Sequence, residues 1–409
     1  MRARPRRRRG RRLDRRSRIV RLAARAGAGI VRSTPDPRCW LAARLRSLGP
    51  SAAAVPPPDD WETVLAVADA DGVTPALAYL EERAPLGAPR AVRDRLSRGF
   101  ASAVAAHVVL SRALAQALAA LDAHGIDVIV LKGAALAETL YPHPALRPFH
   151  DLDLLVRPDH ISRADACLRA LGYARAADEH GWRFDVAWDR ATLYEAPGGV
   201  RVDLHWGLLN EPRYRWHEED AAAVWERAAR ARLAGVDART LAAEDLLLHL
   251  AAHLAIHHAG EGLLWQWDVA RLIERGLDWD ALAERATRWR VAAAVRFALD
   301  GVITRFEVAV PPCGLRRLSA GPVRAGLARA LRARATAPRP ARLDYLLPLL
   351  LADRARDAAW ALGGALCPSR AWVRDRYPGA RSLPRAYLAH AARALRIAGD
   401  SLRSGRAGG

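Results

Sequence analysis

The chain has 409 residues, 51% of them hydrophobic, which is enough to bury a sizeable core and to form two or three domains. Its formal charge of +20 is concentrated at one end: residues 1–32 hold 14 Arg against the single Asp14. Four cysteines (Cys39, Cys167, Cys313, Cys367) lack paired ligand spacing, which excludes a cysteine-built zinc site and fits a reducing cytosol.

The first 32 residues are too charged and too poor in apolar side chains to fold alone, and they read as a disordered extension. Non-specific binding to nucleic acid or an anionic surface is the second reading of this tail. Arginines at 18, 21, 25 and 32 interrupt every candidate export-signal core. Pro56-Pro57-Pro58 then punctuates the chain, and Asp60 is placed to cap a helix beginning near Trp61 that stops at Asp71-Gly72. Helical spacing resumes over residues 75–83 and 91–124, and Gly125 ends the second stretch. The texture changes at residues 126–131, which are short and β-branched and read as a buried strand. A short helix over 134–140, a proline-marked loop, a strand over 151–157 and a helix over 160–171 follow. Further strands are expected near 183–188, 191–195 and 200–206, with Pro197-Gly198-Gly199 as a hairpin turn. From about Glu211 onward the pattern is helical, interrupted at Pro311-Pro312, residues 338–340 and Pro378-Gly379. No apolar run approaches the roughly 20 residues of a membrane-spanning helix; the nearest is residues 345–352, broken by Pro348.

Lys132 is the only lysine among 64 basic residues, and it stands between an apolar strand and Gly133. In a background where arginine is the default, an amine points to a site that needs a compact, mobile cation. Asp151 and Asp153 lie one residue apart in a strand, so they share a face and repel each other. A divalent cation removes that penalty, and hard oxygen ligands favour Mg²⁺ or Mn²⁺. Asp203 and His205 share a face of a later strand. If that strand lies beside the first, three carboxylates meet on one metal cluster able to polarise an attacking oxygen and neutralise a leaving pyrophosphate. Lys132 and the backbone at Gly133 suit a triphosphate, and Arg147, in the loop before the Asp pair, is a further phosphate candidate.

The residues in this order are Gly125-Ile126-Asp127-Val128-Ile129-Val130-Leu131-Lys132-Gly133-Ala134-Ala135-Leu136, Tyr141, Arg147-Pro148, Asp151-Leu152-Asp153-Leu154-Leu155-Val156, Leu171-Gly172-Tyr173 and Asp203-Leu204-His205-Trp206. Together they resemble the uncharacterised bacterial nucleotidyltransferase family within the DNA polymerase β-like superfamily. Asp71-Gly72-Val73-Thr74-Pro75 and Trp267-Asp268-Val269-Ala270-Arg271-Leu272 also look like that family, and the similarity covers about residues 56–310. The resemblance implies an α+β fold: a small mixed-sheet nucleotidyltransferase core (125–210) between helical regions (56–124 and 211–409), preceded by the Arg-rich tail and linker (1–55). It implies Mg²⁺-dependent transfer of a nucleoside monophosphate from an NTP, with Asp151, Asp153 and Asp203 as metal ligands and catalytic carboxylates. The wider superfamily places Gly-Ser before its carboxylate pair; this chain has Lys132-Gly133, so Lys132 stands in for the missing hydroxyl.

His249, His253 and His257 form one stripe on the expected helix around them. A single helix cannot readily wrap a tetrahedral ion, so cleft-lining or satisfied histidines are favoured over a metal site. His205 reads as an orienter of Asp203, an acceptor contact or an ordinary buried histidine. The scattered tryptophans read as packing. The leading expectation is a cytoplasmic enzyme acting on an NTP and an unknown acceptor (small molecule, protein or RNA). The rival is a non-catalytic nucleotide-binding or scaffold protein, with association with RNA through the basic tail as one form of it.

Overall fold

Alternation in two short segments organises the sheet. In β2 (Asp151–Leu155) the even-numbered leucines, Leu152 and Leu154, point to one face, and in β5 (Arg201–His205) Val202 and Leu204 do the same. The acidic positions therefore turn to the other face. The computed structural model describes residues 36–48, 56–175, 190–209, 220–318, 321–335, 347–368 and 370–404. All of these but Asp36 belong to one compact unit, Pro37–Gly409. The strand expected near 183–188, the break at 338–340 and the Arg-rich first 32 residues lie outside the described residues.

Among the described residues the sheet has seven strands in the order β3-β4-β5-β2-β1-β7-β6. The remaining strands are β1 (Ile129–Val130), β3 (Ala174–Arg175), β4 (Ala191–Glu195), β6 (Ala229–Leu233) and β7 (Val236–Thr240). β2 runs parallel to β5, and β1 parallel to β7, while the other neighbours are antiparallel. The sheet is thus mixed, and its β4–β5 hairpin turns through Gly199 at φ +78°, a conformation glycine takes without strain.

One face of the sheet is covered by helix α4 (Arg90–Ala123), through Leu114, Leu118 and Leu121, and by α6 (Ile161–Ala170). The other face carries Ile129 and Leu155. It merges with a larger apolar cluster that includes Leu248, Ala251 and Leu254 of α8 (Ala243–His257), Trp267 of α9 (Leu263–Ile273) and Phe297 of α11 (Ala292–Phe306). Helix α2 (Trp61–Ala70) starts as its sequence predicts, with the Asp60 carboxylate accepting from the Thr63 backbone N–H at 3.1 Å. Between α2 and α4 lies α3 (Thr74–Arg83). The segment between β1 and the proline loop forms α5 (Lys132–Thr139), α7 (Ala221–Arg227) precedes the β6–β7 hairpin, and α10 (Trp279–Arg288) lies between α9 and α11.

Three expectations are corrected. Residues 37–46, read as tail and linker, form helix α1, whose Leu41 and Leu45 are fully buried in the larger cluster. The region after residue 210 is not purely helical: β6 and β7 extend the sheet, with β7 pairing directly with β1. The apolar run at 345–352 is also not the nearest to a membrane span. By length and composition alone α4, with 34 residues, is long and apolar enough, because its many alanines carry hydropathy without bulk. Its buried Leu110, Leu114, Leu118 and Leu121 pack in the cluster on the sheet.

Candidate active site

Parallel pairing of β2 with β5 sets Asp153 beside Asp203 and Leu155 beside His205 in register. Asp151, Asp153, Asp203 and His205 consequently occupy one face. Lys132 enters from the end of β1, where α5 begins, and its Nζ donates to Asp153 Oδ1 at 2.8 Å. His205 Nε2 donates to the same oxygen at 3.0 Å and to Asp203 Oδ2 at 3.1 Å. Two acids and two cations therefore neutralise each other in a site where the Asp153 side chain is 7% and that of His205 3% exposed.

The electrostatics follow from this arrangement. Burial alone would raise the pKa of Asp153, but Lys132 and His205 reverse that and hold its carboxyl well below the usual range. Burial likewise opposes ionisation of Asp203, and His205 again wins and lowers its pKa. Burial works against the charge of His205, yet Asp203 and Asp153 push its pKa up to about 9, so it carries a proton at neutral pH. Lys132 stays charged for the same reason: burial disfavours the ammonium, and Asp153 outweighs it. Asp151 differs. Burial and then repulsion from Asp153 raise its pKa, and Lys132 compensates only in part.

Lys132 also has a strained backbone, with φ +42° at a residue with a side chain, where the left-handed region costs on the order of 1 kcal/mol. Strain of this kind persists where surrounding structure dictates it, here the sharp turn from β1 into α5. The next residue must be small for a separate reason: a Cβ on Gly133 would lie 2.5 Å from Phe149 Cβ. The sequence assigned Gly133 to phosphate contact. The structure shows its other duty, close passage of α5 over the loop that leads into β2.

Arg147 is placed differently from the expectation. It is 5% exposed, and its guanidinium is held by Asp268 of α9, with Nε 2.9 Å from both carboxylate oxygens and Nη2 2.8 Å from Oδ2. Its Nη1 donates to the Pro148 carbonyl at 2.7 Å, and the Tyr141 hydroxyl also donates to Asp268, at 2.7 Å. With its donors directed inward, Arg147 anchors the loop before Asp151 to the helical region. Asp268 was missed as its partner because the two lie far apart in the chain; the available signal was a carboxylate within the apolar run of α9.

The histidine stripe lies on α8, the helix packed over the acidic face. His249 is 1% exposed, and burial, then the charges of Lys132 and His205, lower its pKa to about 3. His253 and His258 are lowered too, the second to about 4, burial being the first cause in both. His258 Nε2 lies 3.2 Å from His253 Nε2, and the His258 ring stacks on Trp265. His249, His253 and His258 are thus neutral imidazoles at neutral pH.

The donor set suits a divalent cation. One ligand atom each from Asp153, Asp203 and His205 lies within 4.8 Å of the others. The raised pKa of Asp151 marks a repulsion that such an ion would relieve. Asp151 lies outside that closest group, which includes His205.

A family model described as an uncharacterised nucleotidyltransferase matches residues 57–304. No curated protein matches. Among solved structures, an antigenic nucleotidyltransferase-like protein from Paracoccidioides brasiliensis is similar at 16% identity and TM-score 0.32, over 52% of this chain and 91% of that one. With the family model spanning more than half of its length, the chain belongs to the uncharacterised nucleotidyltransferase family.

Proposed function

We propose that this protein transfers a nucleoside monophosphate from an Mg²⁺- or Mn²⁺-bound NTP to an acceptor, with release of pyrophosphate. The observation that carries the reading is the in-register pairing of Asp153 with Asp203 on parallel strands, with the only lysine of the chain bonded to Asp153. When bound, the cation would supply charge neutralisation at the α-phosphate and the leaving pyrophosphate. Asp151, Asp153 and Asp203 are the carboxylates that would hold it, with His205 between the last two.

The other residues position the reactants. Lys132 offers a three-donor ammonium beside the acids, suited to non-bridging phosphate oxygens. The first backbone N–H groups of α5, at Gly133 and after, present partial positive charge on the same side. Arg147 acts through the loop it anchors and keeps β2 in place. Asp153 and His205 are buried on the acidic face, where fixed charges act at lower dielectric than in water. Most of the rate then comes from positioning and charge compensation.

Incubation of the protein and host lysate with α-labelled NTP tests this. Label is expected to pass to one discrete acceptor, and Asp151→Asn and Asp153→Asn are each expected to reduce transfer by about 100-fold or more. Transfer that survives in both variants rules the assignment out. The internal neutralisation of Asp153 by Lys132 and His205 favours one rival, a nucleotide-binding protein without turnover. Equal NTP affinity with and without Mg²⁺, and no pyrophosphate release with any acceptor, would identify it.

A further inference from the structure

The acidic face carries more nitrogen than a magnesium site needs. His205 Nε2 stands 3.0 Å from Asp153 Oδ1 and 3.1 Å from Asp203 Oδ2. Adjacent ligands about 2.1 Å from one octahedral ion are separated by about 3.0 Å, so these two edges have the spacing of neighbouring ligands, and one ligand atom from each of the three residues lies within 4.8 Å of the others.

A second observation is independent of those distances. His205 Nδ1 is buried without a hydrogen-bond partner, and so are both ring nitrogens of His249. His249 is 1% exposed and lies on α8, over the same face. A buried neutral imidazole with neither nitrogen paired is expensive, and it calls for a partner. The two orphan sets are complementary. A histidine bound to metal through Nε2 keeps its proton on Nδ1 and normally donates it to an outer neighbour. His249 offers an acceptor nitrogen for that proton through one bridging water.

We propose that the centre is a mixed imidazole–carboxylate site for a first-row transition-metal ion, with Asp153, Asp203 and His205 as ligands and His249 as the outer hydrogen-bond partner of His205. The inference rests on the metal-dependent reading above and refines it: nitrogen ligation favours transition ions over Mg²⁺, which prefers an all-oxygen shell.

The experiment uses the full chain stripped of metal by a chelator, with no nucleotide present. Mn²⁺ is added and pulsed electron paramagnetic resonance reads its neighbours, while calorimetry compares Mn²⁺ with Mg²⁺. The expected result is nitrogen coupling to the manganese that shifts to the ¹⁵N pattern when only histidine is ¹⁵N-labelled. Mn²⁺ is also expected to bind at least ten-fold more tightly than Mg²⁺. His205→Gln should abolish the coupling, whereas His249→Phe should retain it and weaken Mn²⁺ about ten-fold.

Manganese bound with oxygen neighbours only, or coupling that persists in His205→Gln, overturns the proposal. The labelled wild-type protein decides the matter even if a variant does not fold. Nitrogen coupling without label transfer would leave this centre standing and sink the transferase reading. Transfer without nitrogen coupling would do the reverse.

Discussion

The three carboxylates on the acidic face do different work without metal, although their side chains are chemically identical. Asp153 is a buried anion bonded to two cations, and its replacement by Asn leaves Lys132 and His205 without their shared acceptor. Breaking one member out of a buried ion cluster costs about 3 kcal/mol or more, so Asp153→Asn should lower the melting temperature of the chelated protein by several degrees. Asp151 is the opposite case, since its pKa is raised by burial and by its neighbour's charge. Asp151→Asn should leave the metal-free fold unchanged or stabilise it by up to about 1 kcal/mol. Thermal melts of the two variants side by side in chelator check this; equal destabilisation would contradict it. These acids and Lys132 were legible in the sequence because each is chemically out of place: an amine among arginines, and charges within apolar strands. The pairing of Arg147 with Asp268 was not legible, because loop position and charge suggested a phosphate contact and nothing local to it announces Asp268.

The histidines of α8 and its C-cap set the acid side of the stability profile, and His205 of β5 the alkaline side. Unfolded imidazoles titrate near pH 6.5. His249 and His258 titrate at about 3 and about 4 in the folded chain, so the unfolded state binds more protons below 6.5. Their contribution is complete above pH 6.5 and is lost as pH falls toward those folded values. His205, raised to about 9, has the opposite sign: its contribution is complete below 6.5 and is lost as pH rises through 9. The metal-free protein should therefore be most stable near pH 6.5 to 7. His249→Phe should flatten the acid limb between 6.5 and 5, and His205→Gln the alkaline one. Denaturant titrations across that range read both slopes. Among the elements, helices α2, α4 and α6 and strands β2, β4 and β5 were visible in their periodicity and punctuation. The β6–β7 hairpin was not, because its Ala-Arg-Ala-Arg and Val-Asp-Ala-Arg segments mix alanine with charge and bury only their last residues. Alanine does not distinguish a strand from a helix, and arginines on an edge strand serve chiefly to discourage further pairing.

At the scale of the whole unit, the buried triad Tyr141–Arg147–Asp268 ties the sheet to the C-terminal helices. Asp268 is fully buried, with burial raising its pKa and Arg147 opposing that rise. Asp268→Ala strands a guanidinium in the interior and should cost about 3–5 kcal/mol, measured by urea unfolding. Tyr141→Phe removes one hydrogen bond and should cost about 1 kcal/mol. Similar small losses from both would show that the triad is not what couples the two regions. The general architecture, a mixed sheet between helical regions, was foreseeable from the change of texture at residue 125. The closure of the sheet by chain from beyond residue 210 was not, because strand partners distant in sequence leave no local trace.

That closure has a bearing on biosynthesis. Strand β1 is two residues long and is flanked by β2 on one side and β7 on the other, with Ile129 opposite Arg239. During translation the lysine-bearing turn thus emerges well before its second neighbour, and one border of its strand stays open until residues 236–240 leave the ribosome. Long-range parallel pairing of this sort forms late and slowly. A nascent chain halted after the β4–β5 hairpin would hold its acids together yet present a raw β1 edge, an invitation to chaperones or to aggregation.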